Sequence, residues 1–151
     1  MRALVKSFVL VVCLCLPVFG FAAEGMIAHK SIHSVSETAE KLESILEQKG
    51  MSVMNRISHS DGAAGVGLEL RPTLVVIFGN PKVGTLLMQC AQSVAIDLPQ
   101  KALIWQDSEG TVWLGYNDPE YLKQRHNIEG CDEVVEKVKG ALAGFAKVAT
   151  E

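Results

Sequence analysis

The sequence predicts an α+β domain, with strand pairs joined by hairpins and the helices collected on one side. Three observations point there. Ala102–Trp105 and Thr111–Tyr116 flank Asp107-Ser108-Glu109-Gly110, a hairpin pattern of two β-rich runs around a turn. Two amphipathic segments, near residues 35–49 and 132–148, carry helical periodicity and their own start or stop signals. Between them the chain reads as strand, helix, two strands, helix, two strands, short helix, helix, and such runs describe segregated layers.

In chain order, Met26–His33 opens as a strand. Ser34 then caps a helix, with Glu37 three residues on to complete a capping box. Val35, Ala39, Leu42, Ile45 and Leu46 mark one face of that helix, and Gly50 stops it in the left-handed position. Met51–His59 alternates as a half-buried strand, and the small, Gly-rich run 60–67 reads as a loop or single turn. Thr73–Phe78 is too apolar to alternate, so it reads as a central strand buried on both faces. Pro81 suits the first position of a helix that runs to about Ala95. Asp118-Pro119 starts a short helix reaching His126, and Asp132–Val148 is the last helix. Its Gly140 and Gly144 cost about 1 kcal/mol each relative to Ala, which predicts close packing there.

The first 22 residues read as a secretory signal: Arg2 and Lys6 as basic head, apolar Phe8–Leu16, then Pro17 and small residues around Ala22. Cys13 is a poor lipidation site, because Val12 before it has the wrong size. Residues 23–151 form a single domain, placed in the periplasm without a membrane anchor once the signal is cleaved. The full chain has 14 basic and 17 acidic residues. Loss of Arg2 and Lys6 makes it more acidic, and no basic run signals nucleic-acid binding.

Cys13 and Cys15 leave with the signal, so Cys90 and Cys131 remain in a compartment that permits disulfides. Two readings stay open. They form one bridge, or they join Met88 and His126 as a soft-metal or redox site, since thioether, thiolate and imidazole suit copper. No paired metal spacing supports the second reading.

RPTLVVIFGNPKVGT, residues 71–85, resembles a phosphate loop and fails its chemistry. Thr85 stands where the phosphate-reaching Lys belongs, Leu86 where the metal-binding hydroxyl belongs, and Pro81 removes one backbone donor. Asn80 then closes the turn and Lys82 is solvated, although a helix start still attracts anions. His29 and His33 lie about 13 Å apart along a strand and cannot share a metal there. Asp97, Asp107 and Asp118 stand at ends of elements, where Asp forms caps and turns. Trp105 and Trp113 should pair across the hairpin. No G-x-S-x-G or haem-attachment motif is present.

RPTLVVIFGNPKVGTLLM, AIDLPQKALIWQD and VWLGYNDPEYLKQRH, in that order, resemble the domain of unknown function 302 family over residues 26–148. The resemblance implies a TBP-like fold, a curved antiparallel sheet packed by helices in the order β-α-β-β-α-β-β-α, often dimeric. It implies no activity and no catalytic residues. Ile57-Ser58-His59 stands where relatives carry Ile-Asp-His, and Leu86 where a Pro often follows Gly-Thr. Cys90 and Cys131 lie outside the family pattern.

The combined expectation is a small-ligand-binding or protein-interaction module, a homodimer without catalytic turnover or cofactor. Its site would draw on His59, Asn80, Lys82, Asp107, Tyr116, Asn117, Arg125 and His126, since polar residues crowd these junctions between apolar elements. The alternative is the redox or soft-metal protein of Met88, Cys90, His126 and Cys131.

Overall fold

The computed structural model describes residues 23–151, so the export signal read in the first 22 lies outside the described residues. Five strands form one antiparallel sheet: β1 (Met26–Ser31), β2 (Ser52–Ser58), β3 (Thr73–Gly79), β4 (Gln100–Gln106) and β5 (Val112–Asn117). Their spatial order is β1-β5-β4-β3-β2.

Side chains alternate across a strand, and the register turns that alternation into rows. Leu74, Ile104 and Leu114 lie side by side across β3, β4 and β5, as do Val76, Ala102 and Tyr116. All six are buried, as are Phe78 and its cross-strand partner Gln100. Helices α1 (Val35–Gln48) and α5 (Asp132–Thr150) cover this face and pack on each other. On the opposite face Val75, Leu103, Trp105 and Trp113 are only half-buried. Trp105 and Trp113 stack there, ring centroids 6.4 Å apart. Gly115 permits it, because a Cβ would stand 3.1 Å from the Trp105 ring.

The capping box of α1 is complete. Glu37 N donates to Ser34 Oγ at 3.3 Å and Ser34 N donates to the Glu37 carboxylate at 3.0 Å. Gly50 ends the helix region at φ 72°. Buried Thr38 gives its hydroxyl proton to Ser34 O at 2.8 Å, so Ser31 donates to Thr38 Oγ1 at 2.7 Å. That chain of hydroxyls locks the end of β1 to the start of α1.

The smaller helices are α2 (His59–Gly65), α3 (Pro81–Cys90) and α4 (Pro119–Arg125), with a 3₁₀ turn at Gln92–Ile96. Three expectations change here. The run after Ser58 is a helix, because the Ser58 hydroxyl accepts from Asp61 N and starts it. The helix from Pro81 ends at Cys90 and not near Ala95, since Ala91 turns extended at φ −150°, ψ 103° before the 3₁₀ turn. β4 is the central strand, while β3 alternates between buried and half-buried residues and β2 is an exposed edge with a register shift at Met54.

Cys90 and Cys131 are bonded, joining the end of α3 to the residue before α5, with Cα atoms 6.5 Å apart. The close packing expected at Gly140 and Gly144 is also absent, as a Cβ at either would meet nothing within 4 Å. These glycines face open space.

The bridge closes a loop across 41 positions, which constrains the unfolded chain by about 4 kcal/mol in the loop-entropy model. Urea unfolding with and without reductant should differ by that amount. Thiol titration should find no reactive sulfur in these two residues before reduction and two afterwards.

Candidate functional site

The polar residues expected to converge do not. His59 begins α2 beyond Ser58, whose register partner Leu74 pairs with Ile104, and Asp107 follows β4 at that same end. Asn80 follows Gly79, and Asn117 ends β5 opposite Met26, so both lie at the other end of the sheet. The strands separate the two groups, which sequence order alone does not reveal.

Most of these side chains have local work. Asn80 caps α3, accepting from Lys82 N at 3.0 Å while its Nδ2 donates to Gly50 O at 3.2 Å. Lys82 is exposed. Asp107 holds the hairpin, accepting from Glu109 N and Thr111 N at 2.9 Å each and from Trp113 Nε1 at 2.7 Å. The Trp113 hydrogen bond, more than the backbone donors, keeps the Asp107 carboxyl below its usual pKa. Tyr116 is buried, its ring stacked on His29 at 5.9 Å, and burial raises its phenol pKa.

His126 sits in a cluster invisible to local sequence. Its Nδ1 lies 3.0 Å from Ser93 Oγ and its Nε2 2.6 Å from Asp97 Oδ2, while Arg125 reaches Asp97 Oδ1 at 3.5 Å. Only 6% of the His126 side chain is exposed. Sequence reading assigned Asp97 to capping and passed over Ser93; both lie about 30 positions from His126, and no short motif links them. His126 hydrogen-bonded to both a Ser and an Asp invites comparison with hydrolases, but catalysis also needs a shaped substrate site beside the serine. Neither Ser93, Asp97 nor His126 lines the cavity described next. The cluster instead clamps the 3₁₀ turn to the end of α4.

Both ring nitrogens of His126 are engaged by Ser93 and Asp97, and the two sulfurs are bonded to each other. Met88, Cys90, His126 and Cys131 therefore do not form one ligand set in this oxidised chain. Among the described residues, no three or more His, Cys, Asp or Glu side chains are grouped to hold a metal ion.

The space in this molecule lies elsewhere. A cavity of about 920 Å³ opens between α3, α5, the end of α1 and the Gly79–Gln100 end of the sheet. Leu87, Leu98, Leu142 and Phe145 are among its apolar walls. Gly84 of α3 and Gly140 and Gly144 of α5 also line it. A Cβ at Gly84 would make only an ordinary 3.8 Å contact with Leu98. The missing side chains leave space between the walls unfilled. At the floor, Gln100 is 7% exposed and its Oε1 has no hydrogen-bond partner. A buried acceptor left unpaired costs about 1–3 kcal/mol, so its retention needs an explanation. Sequence reading missed Gln100 because it looks like any strand residue, whereas the glycines did carry a signal as helix-breaking residues inside a helix.

Comparison with known proteins places the fold and the family. The family model for "Domain of unknown function DUF302" matches residues 27–145. The chain belongs to that family. Its fold matches the crystal structure of an uncharacterized conserved DUF302 protein from Bacillus stearothermophilus, with TM-score 0.76 and 23% identity over 85% of this chain and all of that one. It is also 42% identical over 132 residues to proteins named fluoride-specific ion channel FluC 1 from Brucella suis and from Brucella abortus. Those matches cover 87% of this chain and 51% and 48% of the relatives, so the chain spans about half their length.

The Asp107 geometry sets a pH dependence. Its folded pKa is depressed, so its contribution is complete above the unfolded value of about 3.9 and is lost as pH falls through the lower folded value. Asp107→Asn should lower the melting temperature at pH 7, and the gap from the parent should narrow steadily toward pH 2. A constant gap at all pH values would contradict this assignment.

Proposed function

We propose that this DUF302-family chain binds a small, largely apolar molecule in the cavity between α3 and α5, without turning it over. The observation that carries this reading is the cavity itself. Its volume of about 920 Å³ lies within the ~300–1,000 Å³ range of small-molecule sites, and three glycines on two helices line it. A helix that only needed stability would carry Ala at Gly140 and Gly144, where a Cβ meets nothing.

The N-terminal segment, read as a cleavable signal, supports a periplasmic location for this module. The half-buried face bearing Val75, Leu103, Trp105 and Trp113 supports association of two copies through the sheet, away from the cavity. The FluC relatives carry a channel's name over chains about twice as long as the matched part. No helix among the described residues is long and apolar enough to cross a membrane. The binding reading offered here concerns the shared half.

Four substitutions at two positions separate stability from binding. Gly140→Ala and Gly144→Ala should each raise unfolding stability by up to about 1 kcal/mol, whereas Gly140→Leu and Gly144→Leu should fill the cavity. In thermal-shift titrations against a panel of apolar and amphiphilic molecules, compounds that raise the parent's midpoint should lose that effect in the Leu variants. Ligands that shift parent and Leu variants equally would place the site elsewhere.

A further inference from the structure

The cavity's charge and hydrogen-bonding pattern goes beyond its apolar character. Two lysines, Lys49 at the end of α1 and Lys137 on α5, line it and are exposed at its mouth. No Asp or Glu lines it, although acidic residues outnumber basic ones in the chain by 17 to 14. Among the described residues neither lysine ammonium has a carboxylate within salt-bridge reach; the lysines so engaged are Lys123 and Lys139. The mouth is therefore positive and the walls apolar.

Gln100 supplies the second, independent observation. Its amide oxygen is buried with no partner on a residue that lines the cavity, so a turn of the side chain would let it accept a hydrogen bond from a molecule that enters. Its position ties it to one end of the cavity. Gln100 pairs across the sheet with Phe78, two residues before Asn80, and Asn80 bonds the carbonyl of Gly50, the neighbour of Lys49. The unpaired acceptor and the Lys49 cation thus share the same end, with the remaining apolar wall running along α3 and α5.

We propose that the cavity takes an anionic amphiphile, with its acid group between Lys49 and Lys137, a hydrogen-bond donor near that group facing Gln100, and its hydrocarbon chain along Gly84, Gly140 and Gly144. This rests on the binding reading above and names its ligand class. An acylated amino acid has all three parts. The carboxylate meets the two ammonium groups in charge-assisted contacts, the amide N–H meets Gln100 Oε1, and the chain covers the helix glycines.

Matched probes make the test. N-dodecanoylglycine has the anion and the N–H; N-dodecanoylsarcosine keeps the anion but not the N–H; N-dodecanoylglycinamide keeps the N–H but not the anion. Dodecyltrimethylammonium reverses the charge. Calorimetric titration of the purified protein below the micelle threshold should give one site per chain for N-dodecanoylglycine. The sarcosine and glycinamide analogues should each bind about tenfold more weakly, and the cation without measurable heat. The double variant Lys49→Gln, Lys137→Gln should weaken the glycine conjugate about tenfold and leave the glycinamide unchanged. Gln100→Leu, which removes the lone acceptor without disturbing the apolar surroundings, should erase the glycine–sarcosine difference; circular dichroism checks that each variant is folded. Equal affinity for all four probes, or preference for the cation, would overturn the anionic assignment and leave the cavity reading standing. No binding of any probe, with self-association abolished by Val148→Asp at the mouth, would overturn both and make a second copy of the chain the occupant.

Discussion

Helix α3 is fastened at its two ends and packs on the core between them through Leu87, with partly buried Val83 and Met88, and the site depends on how those ends are held. At its start, Asn80 caps the helix and bonds the loop after α1. At its end, Cys90 is bonded to Cys131, the N-cap of α5. Along its length only Leu87 is buried, and Leu86 is 47% exposed. A helix held only by burial would settle onto the sheet and close the space beneath it. A helix held also by its ends can leave that space open, because the bridge and the cap act with Leu87, Val83 and Met88 to fix where it lies.

The sheet provides the rigid counterpart. Its buried rows run across three strands and are covered by α1 and α5, so most of the burial is committed far from α3. The clamps beside the cavity are polar and join segments distant in sequence. Ser93, Asp97 and His126 tie the 3₁₀ turn to α4, and Lys123 pairs with Asp132 to tie α4 to α5. These contacts hold the frame of the opening without filling it. Stability and emptiness are thus assigned to different residues, which is how a small domain can keep a cavity of this size.

Much of the fold was legible because it is written in local chemistry. Ser34 and Glu37 declare the start of α1, Asp107 through Gly110 declare the hairpin, and Trp105 faces Trp113 as the alternation requires. Errors arose where the deciding partner was distant in sequence. The apolar run of β3 suggested burial on both faces, but only neighbouring strands decide which strand is central. Gly140 and Gly144 were correctly singled out as unusual and wrongly explained, since a missing side chain can serve a close neighbour or a void. The candidate site suffered most. Polar residues at element ends were assigned to one locus, yet the strands carry His59 and Asp107 to one end and Asn80 and His126 to the other. Gln100 had no signature at all, because an unpaired acceptor exists only once the surrounding walls are known.

The central claim is that the open space beneath α3 is a binding site rather than a packing fault. Its most direct test is a backbone and side-chain NMR titration of the protein with N-dodecanoylglycine. The account predicts that shifts concentrate on the amides of Gly84, Gly140 and Gly144 and on the Gln100 side-chain amide, while Trp105 and Trp113 on the opposite face stay still. Shifts confined to the tryptophan face, or spread evenly along the surface, would contradict it.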